Sequence, residues 1–337
     1  MLMMLIWISY DIINYDLRKH SYVDMDDFNN NLHNDETESI HSMIHNGTVN
    51  INDYNNYGRA IIGDDDRIKA NTNSSAMLGI TFIYTKYSND FNTKCSGNLI
   101  SKNIILTAAH CVNRVYDDGT LENSKYITAY PGRNDGNMPT GFYEVTNLYL
   151  LKGWNRYEKA DFRYDIALLR IAPDEDNKYP TDYGASTYGY GFYDNEELSN
   201  AKVIAFGYPG DHDDENETVD VMYEMRNGKI SLDNMDYIRF NNLINDKDLI
   251  TNRNYLNIDT TLMHTLDTIS GSSGAGLLNG DGIIIGVNSQ ECAITDSNGN
   301  TNACVDDDGN QILNTATRFT RESYTAINKL TTLESIE

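Results

Sequence analysis

Three short strings in the sequence hold the residue types that acyl transfer needs. LTAAHC, Leu106 to Cys111, closes an apolar run with two alanines and then offers His110. A histidine can take and return a proton near neutral pH if it is held within hydrogen-bond reach of the reacting group. Cys111 follows it, and a disulfide from Cys111 to Cys95 would pin that backbone. In YDIALLRI, Asp165 stands at the mouth of a strand whose next residues are almost wholly apolar. A carboxylate there is costly unless paired. An imidazole N–H suits it, because the carboxylate fixes the tautomer. Asp182, in TDYGAS, is a rival with no apolar strand behind it. In GSSGAG, Ser272 and Ser273 sit between glycines. The glycine placement favours Ser273 as the nucleophile. It also lets the N–H groups of Gly271 and Ser273 point at one spot, an oxyanion hole.

Residues so far apart need a frame to meet. Short apolar runs recur after Arg59: MLGITFIY, NLISKNIILTAA, YITAYPG, YEVTNLYLL, DIALLRI, KVIAFGYP, MYEMRNGKI and GIIIGVNS. They have strand length and are separated by Gly, Asn and Asp clusters, so the fold is expected to be all-β, sandwich or barrel. One helical pattern closes the chain: Thr320 can cap it, and Tyr324, Ile327 and Leu330 recur every three residues. Residues 10–59 are polar, rich in Asn and Asp and poor in apolar periodicity. They are read as a leader or pro-segment more than a packed domain.

Composition narrows the partners. The 337 residues carry a formal net charge of −24, which would repel a nucleic-acid backbone. No run is long and apolar enough to span a bilayer, so no stable membrane anchor is expected. The opening MLMMLIWIS is apolar but lacks the basic residues of a signal peptide. The four cysteines, Cys95 with Cys111 and Cys292 with Cys304, read as two local disulfides and so as an oxidising compartment. Sequons at Asn46, Asn73 and Asn216 fit secretion. In CAITDSNGNTNAC, Asp296, Asn298 and Asn300 alternate like the start of a calcium loop, but its glycine and closing Glu are missing. That segment is read as a disulfide-closed hairpin tip, and no metal or organic cofactor is expected.

His, Asp and Ser in this order, in LTAAHC, DIALL and GSSG, resemble the chymotrypsin-like serine peptidases. AIIGDDDR at Ala60, GYPGD at Gly207, MYE at Met222 and LDT at Leu266 bring the likeness nearer to the bacterial-type glutamyl endopeptidases. The resemblance runs from Ala60 to about Leu330. It implies two packed antiparallel six-stranded β-barrels with a C-terminal helix. The first barrel spans about 60–175, the second about 200–318, and the helix about 320–331. It also implies a secreted precursor cut after Arg59 and polypeptide substrates; a monomer is expected. Thr268 matches a pocket residue of that branch, and Ser289 adjoins the pocket wall. Asn288 falls where the branch places a histidine, and it brings no positive charge. Asp267 falls where trypsin-like members bind Lys or Arg. It is read here as a turn-bonding residue first and a pocket charge second, so Glu is favoured narrowly over Lys or Arg before the scissile bond. His264 could replace the missing histidine, although no spacing requires it.

Two rival readings stand beside a peptidase. A binding module on the same fold would be expected to lack a member of the His110, Asp165 and Ser273 set, and none is missing. An esterase-type elbow needs GxSxG in an alternating α/β chain with its histidine last, and here the histidine comes first.

Overall fold

A computed structural model of the chain describes residues 12–16, 21–23, 43–45 and 65–334, the last without 89–90, 117–118, 156–158, 211–219, 247–255, 291–292, 296–300, 304–305, 307 and 310–311. Six strands close the first barrel: β1 Ile80–Lys86, β2 Asn92–Leu99, β3 Ile104–Thr107, β4 Tyr126–Pro131, β5 Tyr143–Leu151 and β6 Ala167–Ile171. Their spatial order is β4-β1-β2-β3-β6-β5, and β4 meets β5 to close it at Ala129 opposite Tyr143. Six more make the second: β7 Lys202–Gly207, β8 Tyr223–Ser231, β9 Thr261–His264, β10 Gly276–Leu278, β11 Ile283–Asn288 and β12 Asn314–Arg318. The order is β10-β7-β8-β9-β12-β11, closed where Gly276 of β10 pairs with Val287 of β11.

The registers explain the apolar runs. Ile83, Leu99, Ile105, Leu148 and Leu169 share the inner face of the first barrel, all essentially sealed from solvent. Ala205, Met225, Leu262, Leu277, Ile285 and Ala316 fill the second. Each fully buried Leu or Ile contributes roughly 1.5–3 kcal/mol. Strand β1 opens with four buried residues in a row, so both its faces are covered and alternation is lost. The barrels are joined by hydrogen bonds as well as by packing: Asn98 Oδ1, on β2, accepts from the Gly276 N–H at 2.7 Å. The C-terminal helix, Arg321–Glu334, is capped by Thr320 Oγ1, which accepts from the Ser323 N–H at 3.2 Å. It buries Tyr324, Ile327 and Leu330.

One helix was not expected from the sequence. A helix at Asn234–Asp246 had no visible signal. Tyr237 and Phe240 are buried on one side while Met235 and Ile238 are exposed, so its apolar residues do not mark one face. Three short segments before residue 46 also pair with the sheets. Ile12–Asp16 adds to the first sheet beside β5, with Ile12 opposite Leu151, and Ser21–Val23 pairs onto it. Met43–His45 adds to a strand at Gly189–Phe192 that extends the second sheet. Strand addition uses backbone hydrogen bonds, so it needs no apolar periodicity in the added segment.

Candidate active site

His110 lies in a single turn of 3-10 helix, Ala109–Cys111, directly after β3. Ala108, Ala109 and Cys111 are buried, and the small alanines let the turn pack under the strand end. Cys111 is disulfide-bonded to Cys95 of β2, with Cα atoms 6.0 Å apart. Asp165 follows another short turn, Phe162–Tyr164, which leads into β6. Asp161 caps that turn and holds Arg163 in a 2.7 Å ion pair. Phe162 packs edge-on against Trp154, and its carbonyl accepts from Thr317 Oγ1 of β12 at 3.2 Å. Both barrels therefore fix this loop.

Asp165 is fully buried, and both its oxygens are taken. Oδ1 accepts from the His110 backbone N–H at 2.8 Å, and Oδ2 lies 2.7 Å from His110 Nδ1. Ser289 Oγ donates to Oδ2 at 2.5 Å. Three donors converge on the two oxygens, so the carboxyl serves as their acceptor. Nδ1 must then carry the proton and Nε2 the lone pair, on a partly exposed imidazole whose Nε2 lies 4.0 Å from Cys111 Sγ. Asp182 plays no part here, since its carboxylate caps an exposed turn at the Tyr179 N–H.

The Ser273 turn is built around Ser96, which sequence reasoning missed. The Ser96 N–H donates to the Ser273 carbonyl at 2.8 Å, and its hydroxyl donates to the Gly271 carbonyl at 2.8 Å. The same hydroxyl accepts from the Tyr208 N–H at 2.9 Å, and Ser96 is completely buried. Only its place in CSGN, beside Cys95, hinted at a role. Gly274 adopts φ +86°, and a Cβ there would lie 2.2 Å from both the Ser96 carbonyl and Thr107 Oγ1, and 3.1 Å from the Ala108 nitrogen. That close approach sets Ser273 against the segment that carries His110.

Two peptide planes aim the N–H groups expected to bind an oxyanion. The Ser270 carbonyl is held by the Gly210 N–H at 2.8 Å, and the Ser272 carbonyl by the Ala275 N–H at 3.1 Å. In a trans peptide the N–H points opposite the carbonyl. The Gly271 and Ser273 N–H groups are thereby turned away from those partners, and among the described residues neither has an acceptor. Gly271 has φ +96°, and an added Cβ would meet the Tyr208 carbonyl at 2.3 Å, so only glycine fits. Ser272 is buried, and its hydroxyl accepts weakly from the Ile269 N–H, at 3.4 Å. Replacing Ser96 with Ala would orphan the Gly271 carbonyl and the Tyr208 N–H. The expected cost is on the order of 2 kcal/mol in stability. Misplacing the turn should also lower kcat by roughly tenfold to a hundredfold with little change in KM. Denaturant titration and steady-state kinetics would check both, and an unchanged kcat would show that the turn holds its own shape.

The residues expected around the pocket divide. Ser289 differs from its expected place: its hydroxyl is bonded to Asp165 and its N–H to the Thr315 carbonyl, so neither group is open to substrate. Asp267 turns to the segment at Asp66, where Oδ2 accepts from the Asp66 N–H at 3.1 Å. Asp66 is held in turn by Asn227 Nδ2 at 2.7 Å, and Ile68–Lys69 pairs with β8. Asp66 and Asp267 thus meet near β8. Thr268 Oγ1 is buried with no partner among the described residues. Asn288 is buried on β11, its carbonyl accepting from the Gly274 N–H and its N–H bonded to the Ala275 carbonyl, both at 2.8 Å. The pair Cys292 and Cys304 lies outside the described residues, as does Ala60. Between those cysteines, Ala293–Thr295 and Thr301–Ala303 form an antiparallel pair.

Burial raises the pKa of Asp267 to about 6; the Asp66 N–H opposes the rise and the Asp66 carboxylate adds to it. The folded protein keeps a proton that the unfolded chain releases near pH 4. This contribution is full below about pH 4 and is lost as pH rises through about 6. The melting temperature should therefore fall across that window, and less so in Asp267→Asn. Equal slopes by calorimetry would contradict the coupling.

Two closed six-stranded barrels, with a histidine–carboxylate pair on one and a glycine-flanked serine turn on the other, define a chymotrypsin-like serine peptidase. The family model described as Trypsin matches residues 72–305, and the chain belongs to that family. It is 31% identical over 154 residues to the extracellular metalloprotease of Bacillus subtilis (strain 168), a match covering 45% of each chain, so it spans under half of that relative. It is 23% identical over 256 residues to the glutamyl endopeptidase of Staphylococcus epidermidis, covering 74% of this chain and 71% of that one. A solved Glu endopeptidase in complex with MPD superposes with a TM-score of 0.55 at 23% identity, over 81% of this chain and all of that one (100%). Protease Anisep from Arthrobacter nicotinovorans gives 0.52 at 17%, over 77% and 98%. Among the described residues, the ligand atoms close enough to share a metal ion are those of Cys95, His110 and Cys111. Two of these are the sulfurs of the disulfide, which are not thiolate ligands.

Proposed function

We propose that the chain is a secreted serine endopeptidase, active after loss of its leader, that cleaves peptide bonds after Glu through an acyl-enzyme on Ser273. The observation that carries it is the His110–Asp165 pair, fixed at both carboxylate oxygens, with the Gly274 turn after Ser273 packed against the Ala108 segment that leads into His110. His110 takes the Ser273 Oγ proton as that oxygen attacks the substrate carbonyl. Asp165 stabilises the imidazolium. The Gly271 and Ser273 N–H groups receive the developing oxyanion. His110 then protonates the leaving amine, and later draws a proton from the water that releases the acyl group.

The preference for Glu over Lys or Arg gains support from Asp267. Its carboxyl is turned to the Asp66 backbone, and its raised pKa leaves it partly protonated near pH 6, a poor anchor for a cation. The name of the staphylococcal relative points the same way. Loss of the leader rests on the composition break at Arg59 and on the likeness of AIIGDDDR to a mature start. Secretion rests on the Cys95–Cys111 disulfide and the exposed sequon at Asn73. The test is cleavage-site profiling of the secreted protein on a peptide library, with N-terminal sequencing of the active form. The expected result is cleavage after Glu by a chain that starts near Ala60. Cleavage confined to Lys and Arg, or to large apolar residues, would overturn the specificity. Full activity with the leader intact would overturn the processing.

A further inference from the structure

The leader is fastened to both sheets at points well before the expected cut. Barrel closure against β4 uses only the start of β5, at Tyr143 and Glu144. Farther along β5, on the edge away from β6, residues 147–151 pair with Ile12–Asp16. In the second sheet, Gly189–Phe192 pairs with β11 on one side and with Met43–His45 on the other. Backbone groups along a sheet edge need partners, and a bare edge is a template for other chains. The leader covers one such edge on each sheet.

The second anchor is held by side chains as well. His45 stacks on Tyr190, with ring centroids 4.8 Å apart and planes at 17°. Tyr190 is completely buried beside Phe319 and Tyr324, and its hydroxyl meets Thr331 Oγ1 of the C-terminal helix at 2.9 Å. His45 Nδ1 lies 3.1 Å from Asn328 Oδ1 of the same helix. Met43 packs against the main core, and a Cβ added at Gly191 would come within 3.2 Å of the Met43 carbonyl. The edge strand and the helix thus form a seat that fits this segment. The seat lies away from the Ser273 turn. Tyr190 pairs with Ile284, about 13 Å along β11 from Asn288 at the usual strand rise, and it is the Asn288 carbonyl that the Gly274 N–H reaches.

We infer that the cut at Arg59 does not release the leader: it stays bound as a second chain, seated as added strands on both sheets. Loss of the leader as a covalent part of the enzyme is then not its departure. None of the contacts above includes Arg59 or Ala60, so hydrolysis of that bond breaks none of them. Strand addition needs only an extended backbone against an open edge, and the His45 and Met43 contacts select this segment. Two anchors on one chain also hold better than either alone, because release of one leaves the other in place to restore it.

The inference rests on the processing reading above, and its test separates the two. The secreted enzyme, tagged at its C-terminus, would be weighed by native and then by denaturing mass spectrometry. The expected result is one assembly of a chain starting near Ala60 with a leader fragment that holds residues 12–45, resolved into two masses on denaturation. A chain starting near Ala60 that is alone under native conditions overturns the inference and leaves the processing standing. An uncut chain overturns both. His45→Ala should speed dissociation of the cut leader by about tenfold, through loss of the stack and of the Asn328 bond. An unchanged rate would overturn the seat. A further readout needs no variant: the backbone amides of residues 189–192 should exchange with deuterium at least about tenfold faster once the leader is stripped from the cut enzyme. Equal exchange with and without it would overturn the docking.

Discussion

Ser273→Ala is expected to abolish peptide hydrolysis, with kcat down by about 10⁴-fold or more and the melting temperature unchanged. Among the described residues the side chain has no hydrogen bond to lose: Ser273 is held through its carbonyl, which accepts from the Ser96 N–H and which alanine keeps. Ser272→Ala is the control. Its hydroxyl is buried against the Ile269 N–H and makes only that weak contact, so its loss should cost stability more than rate. The same kinetics on both variants, with thermal melts, decide the matter. Equal losses of rate would mean that the turn, and not one hydroxyl, had been damaged.

Asp165→Asn should be nearly as severe, with kcat lower by about 10⁴-fold, and for a different reason. The site offers three donors to two carboxylate oxygens: the His110 N–H, His110 Nδ1–H and Ser289 Oγ–H. An asparagine has one acceptor oxygen. If that oxygen keeps the His110 backbone N–H, its amine faces Nδ1 and forces the ring proton onto Nε2. The imidazole then meets Ser273 as a donor and cannot take its proton. KM should change little, because nothing that touches substrate moves. The rate should recover partly at high pH, where hydroxide can replace the missing base. A pH profile parallel to that of the native enzyme would argue that Asp165 only holds the loop.

The frame was legible because its strands are bounded by turn residues and their apolar runs match barrel interiors. The two aligned sets at Ile80 to Ile171 and Lys202 to Arg318 follow those runs closely. His110 and Asp165 were legible for a physical reason: a histidine beside a cysteine and a carboxylate at a buried strand mouth both need explaining, and they explain each other. Ser96 was not legible. Its hydroxyl links Gly271 and Tyr208, more than 100 residues away in each case, and a serine in a strand gives no sign of that. Ser289 was expected beside the pocket wall, and Asp267 as a turn-bonding residue first and a pocket charge second. Spacing gives the position of a residue along the loop, not the direction of its side chain, and both turn to partners from distant segments, Asp165 and Asp66. The helix at Asn234–Asp246 was hidden because only Tyr237 and Phe240 of its described side chains are buried, too few to set a period.

The most direct test of the central claim is covalent labelling of the secreted protein with a fluorophosphonate, followed by intact mass and peptide mapping. A serine flanked by a general base and two aimed N–H groups reacts with such a reagent at one site, whereas an ordinary serine does not. The expected result is a single adduct, on Ser273, that appears as peptidase activity disappears and is absent from Asp165→Asn on the same timescale. An adduct on Ser272, or an active enzyme that takes no label, would contradict it.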